Sequence, residues 1–400
     1  MKLAITTLLL AISPQEGDLA KRLRETYVAA ADALVAQQDA EGAWRVVMPE
    51  RSVPSVAYTS LLVTALSGAP PDLRAKYKAS AEKALAFLLS KANRDGSFGE
   101  GEYGSYLKTY ATALALSALS TADRTDKILD SIRGAQAYLK RNQLQEGPHK
   151  GGLGYGEEEL KRNPETGAFE LKRSPFADLS ATAMVAQAMK DSGLSFSDEF
   201  WPLAAEFVRR CHNSTEVNTD PVFLKALKDK GMSLDDNGSL IYTPVADGQV
   251  QKAGTRKIAD RETIVGYGSM TYAGIKTYLY AGLRKDSPEV KAALDWIRRN
   301  YSIDSHPGFP QDRTGRQDKR GIYYYYLMMA RALDAVGDRP LITPDGKEHD
   351  WPVDLAEQLL KTVRDSKAWQ NDNPAWYEGD STLVTGYVLN VCDILFHYIQ

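Results

Sequence analysis

Two kinds of apolar pattern alternate along this chain. In the first, apolar and small residues fill nearly every position: "VAYTSLLVTALSG", "LKTYATALALSALS", "LSATAMVAQAMKDSG", "GSMTYAGIKTYLYAGL", "RGIYYYYLMMARALDAVG" and "STLVTGYVLNVCDIL". Runs of this kind predict helices buried on all sides. In the second, charge gathers on one side of a helical period and Ala, Leu or Val on the other. These stretches are "LAKRLRETYVAAADALVAQ", "LRAKYKASAEKALAFLLSKA", "DKILDSIRGAQAYLKRN", "WPLAAEFVRRCHN", "SPEVKAALDWIRRNY" and "DLAEQLLKTVRDS". They predict amphipathic helices with one wet face. Six of each kind, in alternation, predict an all-α (α/α)6 barrel in which six inner helices sit inside a jacket of six outer ones.

Aligning the buried runs sets Thr59, Thr112, Thr182, Ala273, Tyr326 and Thr385 at equivalent positions. Glycine turns follow most of the outer helices: "QDAEGAW", "NRDGSF", "KGGLGY", "DNGSLIY" and "HPGFP". Glycine closes such a turn at positive φ without steric cost, and the next apolar residue plugs between helices. The barrel also accounts for Tyr323, Tyr324, Tyr325 and Tyr326, which point in four directions about 100° apart. On an inner helix none of those directions meets bulk water. Tyr323 and Tyr326, three apart, share a face.

Composition changes this picture little. The 400 residues are 43% hydrophobic and 25% charged, as expected of a globular chain. A net charge of -3 gives no electrostatic case for nucleic acid. Cys211 and Cys392 form no disulfide framework, and the five histidines show no metal spacing. No metal or cofactor is expected. "MKLAITTLLLAIS" has a lysine and then an apolar run too short to span a bilayer, followed by charge. Residues 1–13 therefore predict a signal peptide and an exported protein, with residues 18–398 as one domain. No other segment is apolar enough to cross a membrane.

"QQDAEGAW" holds the Gln-x-x-x-Gly-x-Trp core of a QW motif at Gln38, Gly42 and Trp44, and other repeats keep its glycine at Gly96, Gly238 and Gly308 without the glutamine. With "YGSMTYAGIKTYLYAGL" and "GIYYYYLMMARALDAVG", the chain from about residue 20 to 398 resembles squalene-hopene cyclases and the prenyltransferase and squalene oxidase repeat family. The resemblance implies a terpenoid-cyclase-like toroid and isomerase chemistry begun by an aspartic acid in a DxDD motif. The matching stretch is "DLSATAMV". Asp178 fits the first Asp, Ser180 stands where the proton donor belongs, and Ala181 replaces the last Asp. A serine hydroxyl cannot protonate an alkene, so the resemblance implies a ligand-binding relative whose usual acid is replaced. Asp235 and Asp236 precede a glycine turn and read as solvated turn residues. The prenyltransferase β subunits bind zinc on the same fold, but Gly268 and Met270 fall where their Asp and Cys would stand.

Within such a barrel the inner helices run one way and their N-termini share one mouth. The long connections 144–176, 213–265 and 302–320 all precede inner helices and so cover that mouth. Asp178 and Asp380 open the third and sixth inner helices, and Glu378 makes a carboxylate pair with Asp380. They are candidate acids, with N-capping as the plain alternative. Tyr267, Tyr272, Tyr323 and Tyr326 are candidates to line the lumen and hold an apolar or isoprenoid ligand, since aromatic faces stabilise cations. His306 and Arg320 flank the lid. Two rival readings remain. One is a non-enzymatic binding or scaffold module that meets a protein partner; the thioester form of it lacks its motif, because Cys211 is followed by His-Asn-Ser. The other is a carbohydrate-active (α/α)6 enzyme using Tyr103, Trp376 and the Asp178/Asp380 pair.

Overall fold

An apolar helix with no wet face has to be covered on every side, and the architecture follows from that demand. The computed structural model describes residues 14–48, 51–99, 107–156, 158–162, 169–173, 176–258, 260–311 and 316–399. The predicted signal peptide at residues 1–13 and Tyr103 lie outside the described residues. The buried runs form α2 (Val56–Gly68), α4 (Lys108–Ser120), α6 (Leu179–Asp191), α9 (Gly268–Tyr280), α11 (Ile322–Val336) and α13 (Ser381–Leu395). The amphipathic stretches form α1 (Pro14–Val35), α3 (Pro71–Ser90), α5 (Asp126–Asn142), α7 (Phe200–Arg210), α10 (Pro288–Arg299) and α12 (Trp351–Thr362). Each inner helix packs on the next in chain order, and α13 packs on α2. Asn390 of α13 ties that last contact by donating to the Leu61 carbonyl of α2 at 3.0 Å.

The sequence pattern does not foretell everything. A further helix, α8 (Pro221–Asp229), lies in the long connection before α9. The fold is mostly rather than wholly helical. Short sheets interrupt it: the hairpins β1–β2 (44–48, 51–55), β3–β4 (158–162, 169–173) and β8–β9 (341–342, 348–349), and a three-stranded sheet in the order β5–β7–β6 (232–233, 261–264, 255–258).

One hydrogen bond recurs around the ring. A threonine near the start of an inner helix accepts the backbone N–H of the residue that plugs the turn before it. Thr59 accepts from Trp44 at 3.0 Å, Thr112 from Phe98 at 2.9 Å, Thr182 from Leu153 at 2.9 Å and Thr385 from Trp369 at 3.1 Å. In the fourth repeat the position belongs to Thr271, which accepts from Leu240 at 3.1 Å, and not to Ala273. The fifth repeat has Pro310 after its glycine turn, with no N–H to satisfy, and tyrosines stand where the threonine would be. Gly42 shows why the turns need glycine. Its φ is +96°, and a Cβ there would stand 2.4 Å from the Lys83 carbonyl oxygen of α3. The sixth turn lacks a glycine, and Lys367 adopts φ +61° in its place.

Gln38 reaches across its turn to donate to the Gly42 and Ser80 carbonyls, both at 3.0 Å. The glutamine is not lost elsewhere: Gln143 donates in the same way to Gly151 at 2.9 Å and Phe200 at 3.0 Å. Extra residues in that turn hide the spacing. Trp44 and Trp369 also match, their indoles donating to the ends of α1 and α12 at Leu34 (2.7 Å) and Leu359 (2.8 Å).

Candidate functional site

The first turns of the inner helices meet at one end of the ring. Tyr58 of α2 donates to Asp380 Oδ2, at the start of α13, at 3.1 Å. Tyr110 of α4 donates to Ser180 Oγ of α6 at 2.8 Å, and Ser180 Oγ shares a 2.8 Å bond with the Tyr324 hydroxyl of α11. Tyr324 in turn meets Tyr387 of α13 edge-on, with ring centroids 6.0 Å apart. Tyr110, Tyr324 and Tyr387 lie deep in the protein, yet each keeps accessible surface. They border one space between α4, α6, α11 and α13, the chamber of this fold. Ser180, where the resemblance expects an acid, sits in the wall of that chamber between two phenols.

The inner tyrosine of the run is thus Tyr324, and not Tyr323 or Tyr326. These two do share a face, with rings 5.8 Å apart, but it is turned towards α12. There they line a separate cavity of about 530 Å³ with Gln358, Thr362 and the cationic Lys319 and Arg364. Tyr326 donates to the Ile303 carbonyl at 2.6 Å. Tyr325 packs on Tyr272 of α9 and donates to the Ser302 carbonyl at 2.7 Å, so both rings lie between helices. Tyr267 is buried under His306, Phe309 and Trp376. The helix phase carries the reason. Two residues along an α-helix is a rotation of about 200°. The threonine position faces the turn, so the residue two before or after it faces the chamber. Tyr110, Ser180 and Tyr387 stand in that relation to Thr112, Thr182 and Thr385, and Tyr324 to Tyr326.

Each inner helix start has at least one backbone N–H accepted from within the chain. Ser55 caps α2, Asp178 caps α6 and Asp380 caps α13. The Tyr155 carbonyl accepts from Thr109 at the start of α4 at 3.1 Å. His306 caps α9: its Nε2 accepts from the Ser269 N–H at 3.0 Å while Nδ1 donates to the Arg320 carbonyl at 2.7 Å. That pairing fixes a neutral imidazole, and burial pushes its pKa down to about 3. Glu378 caps α11, accepting from the Tyr324 N–H at 2.7 Å through Oε1 and from Asn371 Nδ2 at 2.6 Å through Oε2. Two of the long connections supply such a cap, through the Tyr155 carbonyl and His306.

Burial pushes both capping carboxyls up, to about 7 at Asp178 and about 7 at Glu378. Asp178 is fully buried and uses one oxygen, Oδ1, to accept from the Ala181 N–H at 2.8 Å. Its other oxygen faces the Tyr242 hydroxyl, which also shares a bond with that of Tyr155. Glu378 is also fully buried, so of the three candidate acids only Asp380 keeps accessible surface. Arg320 stacks over the Trp376 ring at 5.4 Å and the Phe309 ring at 6.0 Å, as a lid anchor. Cys211 and Cys392 are free and buried. Among the described residues, no cluster of three or more His, Cys, Asp or Glu could hold a metal, and no helix is long and apolar enough to cross a membrane.

No protein-family model and no curated protein matches the chain. Solved structures do. A variant of the type II terpene cyclase MstE from Scytonema, in complex with its substrate geranylgeranyl dihydroxybenzoate, matches with a TM-score of 0.55 at 15% identity, over 95% of this chain and 99% of that one. A second MstE variant, in complex with the product merosterolic acid A, matches with a TM-score of 0.56 at 14% identity and the same coverage. A glycosidase variant matches with a TM-score of 0.53 at 12% identity, over 96% of this chain and 99% of that one. At these identities the likeness concerns the backbone, and the chain has a terpenoid-cyclase-like fold.

Proposed function

We propose that this chain is a closed (α/α)6 toroid of the squalene-cyclase-like kind, and that its chamber binds an isoprenoid or similar apolar-chain ligand without protonating an alkene. The observation that carries the reading is Ser180. It occupies the chamber wall where the resemblance implies the acid, and its hydroxyl joins Tyr110 to Tyr324. Neither serine nor tyrosine is acidic enough to protonate an alkene. The adjacent Asp178, its carboxyl pushed up to about 7 by burial, lies behind the wall with no accessible surface. The aromatic faces of Tyr324 and Tyr387 suit an unsaturated chain. Isoprenoid binding by MstE on this fold supports the ligand class.

A carbohydrate ligand is a second reading, favoured by the hydroxyl-rich wall and the glycosidase match. A hydrolytic carboxylate pair has less support, since Asp178 and Glu378 are buried as helix caps. Export through residues 1–13 belongs to the same proposal and is tested by N-terminal sequencing of the mature protein.

Native mass spectrometry of protein purified from its own cells, with lipid extraction, tests the ligand. An apolar-chain adduct supports the reading. A sugar adduct, or none together with no geranylgeraniol binding in titration, refutes it. If turnover is found, Asp380→Asn should abolish it; retained turnover removes Asp380 from the reaction.

A further inference from the structure

We infer that Arg331 forms an anion subsite on the inner wall of the ring, and that the chamber's ligand carries a single carboxylate at that end. The inference rests on the reading of the chamber as an apolar-chain site.

Arg331 follows Tyr324 by seven residues on α11. Seven residues is about 20° short of two full turns, so the two side chains share a face. Tyr324 reaches Ser180 across the ring interior, and Arg331 therefore points inward as well, nearer the C-terminal ends of the inner helices. Its charge acts on Tyr324 of its own helix, on Tyr387 of α13, and on Lys276 and Tyr280 of α9. It is half-buried, and Nη1 is buried with no partner. Among the described residues it makes no hydrogen bond and no ion pair.

The buried guanidinium of Arg210 is treated differently. Arg210 bonds Glu206 (its shorter ion pair), Asp220 at 3.1 Å and the Lys150 carbonyl at 2.6 Å. A guanidinium has five donors, and leaving one desolvated without a counter-charge is costly. Asp393 feels the Arg331 charge but makes no ion pair with it. Its carboxylate lies against Gly68 of α2 and beside Tyr27 of α1. The missing partner is thus to come from a ligand.

The charge count selects a carboxylate. Lys276 is the neighbouring cation, but its Nζ donates to the Ala183 carbonyl at 2.9 Å and to Gln187 Oε1 at 3.2 Å, both on α6. It is fully buried and turned away. Asp191, bonded to Ser117 and Gln187, already adds a negative charge at this end of the interior, so a small singly charged anion suits Arg331, and a guanidinium fork matches a carboxylate in two parallel bonds. A diphosphate would bring more charge than this wall can neutralise.

The test compares geranylgeranoic acid with geranylgeraniol, which share a chain and differ at one end. In calorimetric titration, wild-type protein should bind the acid at least about ten-fold more tightly. Arg331→Met should erase that preference, and Arg331→Lys should keep part of it. Equal binding of acid and alcohol by wild type overturns the inference and leaves the isoprenoid reading standing. A preference that survives in Arg331→Met also overturns it. If neither ligand binds, the isoprenoid reading falls, and benzoate then decides the subsite: binding to wild type but not to Arg331→Met upholds it, and no binding overturns it.

Discussion

Asp178 offers the sharpest test of the buried mouth. Its carboxyl is held at about 7 in the folded protein, against about 3.8 in an unfolded chain. A raised carboxyl binds its proton more tightly when folded, so its contribution is fully present below about pH 4 and is lost as pH rises towards 7. The whole shift corresponds to roughly 4 kcal/mol, of which about 2.5 kcal/mol falls between about pH 5 and pH 8.5. Glu378, also at about 7, adds a similar loss over that window. Asp178→Asn keeps an oxygen for the Ala181 N–H and caps as well as aspartate, but it cannot ionise. The lead of the variant over wild type should grow by about 2–3 kcal/mol between about pH 5 and about pH 8.5, halving the fall of stability with pH. Urea unfolding followed by circular dichroism at the two pH values measures this. Parallel declines in wild type and variant would mean that Asp178 is already ionised at the lower pH, and the argument from burial would be wrong.

Other consequences are simpler. Thr385→Val should cost about 1–3 kcal/mol, because it leaves the buried Trp369 N–H without its acceptor, whereas Thr385→Ser should cost less; chemical denaturation of both decides. Gly42→Ala should lose at least about 2 kcal/mol by the same assay, since alanine disfavours φ +96° and its Cβ would meet the Lys83 carbonyl. Burial, helped by the Arg331 charge, pushes the Lys276 ammonium well down. The unfolded chain then binds the extra proton, so this residue makes stability rise with pH up to about 10.4, and Lys276→Met should remove that rise. A rise of equal slope in the variant would place it elsewhere.

The alternation of helices was legible because burial on all sides and burial on one side leave different patterns, as "LKTYATALALSALS" and "DKILDSIRGAQAYLKRN" show. The chamber wall was less so. Tyr323 and Tyr326 were singled out for sharing a face, but sharing a face does not say which way the face points. The threonines do say it, because each is pinned to a turn. Counting two residues from Thr112, Thr182 and Thr385 reaches Tyr110, Ser180 and Tyr387, so the signal was present in the alignment. Arg331 carried no such signal. An arginine in an apolar run reads as a solvated exception until its neighbours are known. Gln143 and Trp369 were hidden by an insertion and by a lysine in a glycine's place.

The caps at the mouth bear on the chemistry. Helix N-termini gathered at one end would present several partial positive charges and free N–H groups to anything entering there. In this chain some of those groups are taken by Ser55, Asp178, Asp380, His306, Glu378 and the Tyr155 carbonyl. The carboxyls among them that are fully buried, Asp178 and Glu378, are held near neutrality. The mouth therefore offers an entering ligand no reachable acid at position 180. What the interior does offer is aromatic surface, bridged hydroxyls and, deeper along α11, one guanidinium without a partner. Such a chamber can orient a long ligand by its two unlike ends, which is a binding task and needs no proton donor.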